Sequence, residues 1–327
     1  MRNQRVNEKD KAKYHQSYIN LYSRLVKEFT PKVEQTIRHE VSLFLNAYEV
    51  HNHLTPDVIP SKPIRLALKR LYIVAGLTNA TKVLRSIKGQ IKGISRDDKW
   101  TWVIAEYLKK NGLDKVSIDI TETLKDKIKA EIVKGKLNGW GVDKIVRHIK
   151  DDEFPKWMAK RIVRTELNKA ANIGAMIAAA DLDIEVDKQW LSTIDNRTRR
   201  IPRDAYDHLE MNGVQVGFGE RFIVPSTKSI DAMLFPGDPD ASVGNVVNCR
   251  CTLIFVPKRD HEGNVVSSQS GKPSDTTTGE LVSSGGGVAV MNQATTNVFT
   301  QLLREAASIE ITQIIINNIL TNEENDK

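Results

Sequence analysis

The amino-acid sequence predicts an α+β fold, in which a mainly helical N-terminal half precedes a small α+β domain with a short antiparallel sheet. Two observations support this. Apolar residues recur at helical spacing up to about residue 180, and beyond it short β-prone runs alternate with Gly, Pro, Asn and Asp. The hydrophobic fraction of 40% and the charged fraction of 27% are typical of globular chains. The length of 327 residues predicts two or three folded units.

The helical half is predicted from the spacing of its apolar residues and from its helix breakers. Residues 14–50 form one or two amphipathic helices, with a bend near Pro31, and a connection containing three prolines follows. A helix over residues 156–180, rich in Ala, Ile and Met, connects the two halves of the chain. The helices predicted between these two cover residues 64–77, 80–91, 99–110, 118–134 and 142–150.

The smaller domain is predicted from four short strands, over residues 188–192, 214–216, 221–224 and 251–256. After residue 257 the chain becomes rich in Ser, Thr and Gly, and this composition cannot bury enough apolar area to offset its chain entropy. The predicted units are a basic helical region (1–150), an α+β domain (151–257), a flexible linker (258–290), and a C-terminal helix and tail (291–327).

The sequence gives no sign of membrane insertion or secretion. It has no apolar run near the roughly 20 residues that a membrane-spanning helix needs, and no apolar segment follows its basic start. We therefore expect no membrane partner and no signal peptide. Cys249 and Cys251 are the two cysteines, and they are too close in sequence for an unstrained bridge. The simplest expectation is synthesis in a reducing compartment.

The net charge of +7 conceals two halves of opposite sign. Residues 1–150 contain 30 Lys and Arg against 16 Asp and Glu, whereas residues 151–327 contain 18 against 25. A basic half indicates an acidic partner. The positive charge is densest between Asp57 and Asp97, where no acidic residue occurs. The predicted contact residues for DNA or an acidic protein partner in this stretch are Lys62, Arg65, Lys69, Arg70, Arg85, Lys88 and Lys92.

These cations allow more than one interpretation. Several are spaced to share a helix face, so they could follow DNA phosphates. The contact would be indifferent to base sequence, because no aromatic platform for bases is interleaved. The same residues could instead form a solvated basic face, or one that docks on an acidic protein surface.

The two cysteines suggest further chemical alternatives. With His208 and either Asp195 or His261 they could hold zinc, but a structural zinc site needs four ligands and the Cys-x-Cys spacing is tight. A thiolate beside His208 could also act as a nucleophile. We expect instead that Cys249 and Cys251 are small, half-buried residues at the start of a strand. The sequence therefore predicts no catalytic residue, no metal site and no cofactor.

A group of acidic residues follows the first predicted strand and could form a magnesium site for a nuclease. The group is Asp195, Asp204, Asp207 and Glu210. We expect these side chains to cap turns and to pair with the arginines at positions 197, 199, 200 and 203. The sequence contains no phosphate-binding loop, HExxH motif or GxSxG motif, so it does not predict a packaging ATPase, a zinc peptidase or a serine hydrolase.

Four ordered segments occur between about residues 157 and 257. They are RIVRTELNKAANIGA (161–175), KQWLSTIDNRTR (188–199), HLEMNG (208–213), and FPGDP with NCRC (235–239 and 248–251). In order and spacing they resemble the phage Mu F-like head-morphogenesis family of minor head proteins. The residues that carry this motif are Arg164, Thr165, Glu166, Trp190, Asp195, Arg197, His208, Gly213, Pro236, Gly237, Asn248, Cys249, Arg250 and Cys251.

Two departures from the family pattern are visible. Arg199 and Arg200 stand where some relatives carry a further Cys pair, which argues against a four-ligand metal site, and residues 199–207 form a longer connection than is usual. We expect structural roles for the motif. Trp190 belongs to the core, and Arg164 and Glu166 pair across to the sheet. The expected turn residues are Asp195, Asn248, Gly213 and Gly237, with positive φ at the two glycines.

The resemblance implies a minor head protein of a tailed phage, made in the host cytoplasm and carried in the virion, inside the head at the portal vertex. The implied partners are the portal protein, capsid or scaffold proteins and, through the basic half, phage double-stranded DNA. The implied role is head assembly and the handling or ejection of packaged DNA, without catalysis. The alternative is a DNA-processing enzyme, or an effector built on this head domain and expected as a further folded domain after residue 257.

Overall fold

The computed structural model describes residues 7–51, 62–88, 113–182, 184–228 and 230–267. The predicted helix over residues 99–110, Lys92, and the segment 268–327 lie outside these residues. The described part is an α+β structure, as predicted. Its elements are α1 (Glu8–His51), α2 (Lys62–Lys88), α3 (Leu113–Leu137), α4 (Val142–Asp151), α5 (Phe154–Ala180), β1 (Val186–Leu191), β2 (Gln215–Gly217), β3 (Phe222–Val224), β4 (Asp231–Met233), α6 (Val243–Val246) and β5 (Thr252–Pro257).

The first helix is continuous, so the alternative of two helices is wrong. One face of α1 carries a buried stripe of apolar and aromatic side chains at helical spacing, which includes Tyr18, Phe29 and Leu45. Pro31 lies inside the helix and removes one backbone donor. The Thr30 hydroxyl donates to the carbonyl of Val26 at 2.6 Å in the same turn. Burial of the stripe maintains the helix through the proline.

The second helix corrects a predicted break. We predicted separate helices over residues 64–77 and 80–91, but α2 runs through the polar residues between them. The hydroxyls of Thr78 and Thr81 donate to the carbonyls of Val74 and Leu77, at 2.7 and 2.9 Å. The buried Asn79 amide donates to the carbonyl of Ala171 at 2.8 Å, in a neighbouring helix. These side chains donate hydrogen bonds to carbonyl oxygens within helices, and α2 therefore continues through them.

Helix α5 is the centre of the fold, and α1 and α2 both pack against it. Many of its own buried residues are Ala or Gly, so neighbouring backbones can approach closely. At the crossing with α2, a Cβ atom built on Gly174 would lie 2.1 Å from the carbonyl oxygen of Gly76. Glycine at position 174 therefore allows a close contact between two helix backbones.

The strands follow α5, which ends at Ala180, and β5 packs against α1, α2 and α5. Strand β1 is central, with β2 and β5 antiparallel on either side, and β3 and β4 form a separate antiparallel pair. Strand β4 and the short helix α6 were not predicted. Trp190 in β1 is fully buried, as predicted, and lies opposite Leu253 of β5.

The segment after β5 continues the ordered structure for ten residues. Lys258 donates from its backbone to the carbonyl of Glu185 at 2.8 Å, and Val266 donates to the carbonyl of Lys258 at 3.0 Å. These residues had been assigned to the linker, whose remaining part lies outside the described residues. The predicted domain boundaries stay predictions. None of the helices that the structure describes is long and apolar enough to span a membrane.

Candidate functional site

The motif segments meet where the end of β1, the start of β5 and the middle of α5 come together. We call this region the motif cluster and define it by Thr165, Asp195, His208 and the NCRC turn at residues 248–251. Its side chains bond mainly to one another and to backbone atoms of the converging segments. The cluster therefore holds four segments of the chain together by polar contacts.

Two asparagines on α5 form the floor of the motif cluster. Asn172 donates to the carbonyl oxygens of Pro236 and Cys251, at 2.8 and 3.1 Å, and accepts from the Thr252 hydroxyl at 3.1 Å. Asn168 accepts from the Tyr18 hydroxyl of α1 at 2.6 Å. Both asparagines are buried. Both lie in segment 161–175, which carries part of the family resemblance, but the sequence analysis gave them no role. Their spacing of four residues on an otherwise apolar helix could have indicated that they share a buried polar contact.

The NCRC turn is held to the same helix. The backbone amide of Asn248 donates to the hydroxyl of Thr165 at 3.1 Å. Asn248 has a φ of 57°, which fits the predicted turn role, because asparagine tolerates this left-handed conformation better than most residues. The predicted positive φ values at Gly213 and Gly237 are also observed, at 87° and 88°. A Cβ atom on Gly237 would lie 3.0 Å from the amide nitrogen of Asn168.

Asp195 and Arg250 form a bidentate ion pair across the motif cluster. Both guanidinium contacts to the carboxylate measure 2.7 Å, and the backbone amide of Arg197 donates to Asp195 at 2.9 Å. The hydrogen bonds from Arg250 hold the pKa of Asp195 well below its usual range. We predicted that Asp195 pairs with nearby arginines. Arg197 does approach at 3.6 Å, but the principal partner is 55 residues away.

Two other acidic residues of the predicted magnesium group, Asp204 and Asp207, stabilise the turn after β1 by hydrogen bonds and an ion pair. Asp204 accepts from the backbone amide of Arg200 and pairs with Arg203, and Asp207 accepts from the amides of Ile201 and Glu210. These are the capping and pairing roles that we predicted. Among the described residues, none of these carboxylates belongs to a group with the spacing of metal ligands.

His208, Cys249 and Cys251 come together in the interior. The Nδ1 atom of His208 lies 3.6 Å from the Cys249 sulfur and 3.5 Å from the Cys251 sulfur. The three residues are 1%, 2% and 3% exposed, so they are buried and not half-buried as we predicted. Trp190 packs edge-on against the imidazole at 5.4 Å between ring centres. The hydrogen bond from Cys249 lowers the pKa of Cys251, and that bond, together with burial, raises the pKa of Cys249.

The hydrogen-bond network indicates which nitrogen carries the proton in the neutral imidazole of His208. The amide nitrogen of Asn245 donates to Asp231 at 2.9 Å, so the amide oxygen of Asn245 faces the Nε2 atom of His208. An amide oxygen only accepts, and Nε2 must therefore carry the proton. The Nδ1 lone pair then faces the two sulfurs. Neither Asn245 nor Asp231 was predicted, because their contacts depend on the unpredicted β4 and α6.

The expected docking of Arg164 and Glu166 on the sheet is wrong for Glu166. Its carboxylate pairs with Lys169 on the next turn of α5, at 2.9 and 3.0 Å, and accepts from the hydroxyl of Tyr72 on α2. Arg164 contributes its backbone carbonyl, which accepts from the Tyr22 hydroxyl of α1 at 3.3 Å. This part of the motif therefore connects α5 to α1 and α2, because those helices cover the face on which it lies.

A buried lysine in the sheet was missed by the sequence analysis. Lys188 in β1 is fully buried and donates to the carbonyl of Leu234 at 2.8 Å. Burial lowers its pKa to about 7, although the charge of nearby Asp238 opposes the shift. Asp238 in turn binds Arg221 at 3.1 Å and the amide of Leu234 at 2.7 Å. This network fixes the FPGDP turn beside α5.

The predicted basic contact residues from Lys62 to Lys88 lie on α2. Lys62, Arg70 and Arg85 are exposed, and Arg65 and Lys69 are partly exposed. Lys88 is the last residue of the helix, and its side chain, like Lys92, lies outside the described part.

Part of this basic surface is shared with α1. Lys82 of α2 contacts the hydroxyl of Ser17 on α1. Burial lowers the pKa of Lys82, and the charges of Arg24 and Arg85 lower it further. We call Arg24, Lys82 and Arg85 the basic face. It combines cations of two helices, which sequence spacing alone did not indicate.

Comparison with known proteins finds a family that is similar to the part of the chain containing the motif cluster. Residues 126–254 match the family described as Phage Mu protein F like protein. The match begins within α3 and ends in β5, so it includes α5 and the whole motif cluster.

Two curated relatives match parts of the chain. One is the NAD(+)–arginine ADP-ribosyltransferase EFV of Enterococcus faecalis, 29% identical over 139 residues, which are 41% of this chain and 26% of that protein. The other is the uncharacterized protein YqbB of Bacillus subtilis, 25% identical over 155 residues, which are 47% of this chain and 45% of that protein. The chain thus spans less than half the length of either relative. No solved structure matches significantly. Through residues 126–254, this chain is therefore similar to the phage Mu protein F like family.

Proposed function

We propose that this protein is a minor head protein of a tailed phage, placed in the virion at the portal vertex and acting in head assembly and the handling of packaged DNA. The observation that carries the proposal is the match of residues 126–254 to the phage Mu protein F like family. We propose no catalytic role for the motif residues.

The bonding of the motif cluster supports a scaffold role. Asp195 and Arg250 satisfy each other, Asn168 and Asn172 bind backbone carbonyls, and His208 is buried against Trp190. Side chains that are used in this way hold loops in place and offer few free groups to a substrate. Recognition of a partner is then expected from other surfaces of the same body.

The basic face offers such a surface. Arg24 and Arg85 are exposed, and their charges add to that of Lys82 between α1 and α2. Three cations close together raise the local positive potential, which favours phosphates or an acidic protein surface. We propose that this face contacts packaged double-stranded DNA, while the portal protein and capsid or scaffold proteins bind elsewhere on the helical half.

The first experiment is co-purification with the portal protein of the same phage, with and without nuclease and over a salt series. Binding that resists nuclease is expected and supports a portal-docked head protein. Binding that is lost with nuclease would make DNA the principal partner and overturn the placement on the portal.

The DNA contact is tested separately with the double variant Arg24→Glu/Arg85→Glu. The wild type is expected to bind duplex DNA of any sequence, with an affinity that falls as salt rises. The variant should bind at least about tenfold more weakly near 0.1 M salt. The matched control is Lys156→Glu/Lys160→Glu, which changes the charge equally at two exposed positions of α5. An equal loss in both variants would contradict a specific role for the basic face.

An enzymatic alternative is favoured by the printed name of one relative, an arginine ADP-ribosyltransferase, of which this chain covers 26%. In this alternative the head domain accompanies an effector activity. Incubation of the full chain with labelled NAD⁺ and arginine-containing acceptor proteins distinguishes the two functions. Transfer of label would favour the enzyme, whereas portal binding without transfer supports the structural protein.

A further inference from the structure

We infer that His208, Cys249 and Cys251 form a zinc site in the interior of the motif cluster, with three protein ligands. This inference departs from the sequence analysis, which predicted no metal, and it does not depend on the proposed function. It rests on the geometry of three buried side chains that the fold brings together from two separate segments.

The two sulfur–nitrogen separations match those of a tetrahedral zinc ion, and all three donor atoms lie within 4.8 Å of one another. Zinc lies about 2.3 Å from sulfur and about 2.1 Å from imidazole nitrogen, which places sulfur and nitrogen ligands roughly 3.6 Å apart in a tetrahedral site. The two measured distances from His208 Nδ1 are 3.6 Å to Cys249 and 3.5 Å to Cys251. Both sulfurs are therefore already at the spacing that a shared ion requires.

Hydrogen bonding alone accounts less well for this arrangement. Nδ1 of a neutral imidazole has one lone pair and accepts one hydrogen bond. Here two sulfurs approach the same nitrogen at nearly equal distances. One thiol can donate to Nδ1, and the hydrogen bond between the two cysteines accounts for the second sulfur lying beside the first, but not for its nearly equal distance from Nδ1. A metal ion between Nδ1 and the two sulfurs would be coordinated by all three atoms.

The surroundings of His208 are those of a metal-binding imidazole. Its Nε2–H is directed to the amide oxygen of Asn245, which is itself held by Asp231. Such a partner on the far nitrogen orients the ring and leaves the near nitrogen free to bind a cation. Trp190 fixes the ring from the side at 5.4 Å. The imidazole is therefore positioned before any ion binds.

The choice of zinc follows from the ligand set. Two thiolates and one imidazole favour a borderline-soft ion over Mg²⁺ or Ca²⁺, which prefer oxygen ligands. Within the described residues the metal-ligand group contains three members, and Asp195 is bound to Arg250 instead. The ion would join the loop between β1 and β2 to the start of β5.

The test measures the metal content of the full chain purified from zinc-supplemented medium without chelators. About one zinc ion per chain is expected for the wild type, and almost none for Cys249→Ser/Cys251→Ser. The matched control is His261→Ala, an exposed histidine outside the group, which should retain the zinc. A wild type that contains no more zinc than the double variant would overturn the inference.

A second measurement keeps the test valid if the double variant fails to fold. Wild-type protein is treated with a chelator under reducing conditions and then titrated with Co²⁺, which replaces zinc and reports thiolate ligands through charge-transfer absorption. We expect this absorption to saturate at about one equivalent, and zinc to displace it and raise the thermal midpoint. Absence of the charge-transfer band in folded, reduced protein would contradict thiolate coordination.

Discussion

The crossing of α5 and α2 can be tested by the substitution Gly174→Ala. Two physical effects of this substitution change the free energy of unfolding in opposite directions. A Cβ atom at this position would lie 2.1 Å from the carbonyl oxygen of Gly76, whereas real Cβ contacts are essentially never shorter than 3.0 Å. One helix must therefore move by about 0.9 Å relative to the other, the difference of these two distances. The nearest atoms all belong to the Gly76 backbone, so no side-chain rotation can relieve the contact.

The expected magnitude follows from the balance of the two effects. Alanine inside a helix is favoured over glycine by about 1 kcal/mol. Overpacking of a core costs about 1 to 3 kcal/mol, and a forced backbone shift belongs at the upper end of this range. Since the packing cost exceeds the gain in helix propensity, we expect Gly174→Ala to lower the free energy of unfolding by about 2 kcal/mol.

The assay is urea unfolding followed by the helical circular dichroism signal, on the wild type and two variants. The control is Gly219→Ala, because a Cβ atom there meets nothing within 4 Å. That variant should unfold within about 0.5 kcal/mol of the wild type. A Gly174→Ala protein as stable as the wild type, or more stable, would refute the close crossing and leave helix propensity as the dominant effect.

Two predictions concern titratable groups. Asp195→Asn should lower stability at pH 7 by about 1 to 3 kcal/mol, because it removes a charge-assisted pair with Arg250. The pKa of Asp195 is lowered in the folded protein, so its contribution is complete above the ordinary carboxyl pKa and is lost as pH falls below it. Urea midpoints of variant and wild type should therefore converge from about pH 4 downward, and a constant difference would contradict the assignment. Glu40, buried on α1, has its pKa raised from 4.5 to about 7 by burial, so its ionised form is penalised in the folded state above pH 7. Glu40→Gln should be more stable than the wild type at pH 8, by up to about 3 kcal/mol, and this advantage should disappear by about pH 4.

The sequence predicted those features that depend on local pattern. The helical spacing of apolar residues located α1, α4 and α5 to within a few residues, and the glycines at 213 and 237 have the expected positive φ. Trp190 is in the core as its place in an apolar strand indicated. The polar residues around Asn79 were misleading, because composition suggests a break where tertiary hydrogen bonds in fact support a helix.

The motif cluster shows why the rest could not be predicted. Its partners lie far apart in sequence, as Asp195 and Arg250 or His208 and Cys251 do, and they meet only because β1 pairs with β5. Nothing in the local spacing of Cys249 and Cys251 reveals that an imidazole 41 residues away faces both sulfurs. The residue types were recognised, but their contacts depend on strand register and on the short elements between the strands.

The length of α1 sets a physical scale for this protein. With a rise of 1.5 Å per residue, its 44 residues extend over roughly 66 Å. Tyr18, near one end, bonds to Asn168 beside the motif cluster, and Tyr48, near the other end, lies under the ammonium group of Lys136 on α3. These two contacts are about 45 Å apart along the axis. Because α1 is packed at both contacts, it joins two parts of the structure that lie far apart, and a change at one of them can reach the other through a single helix.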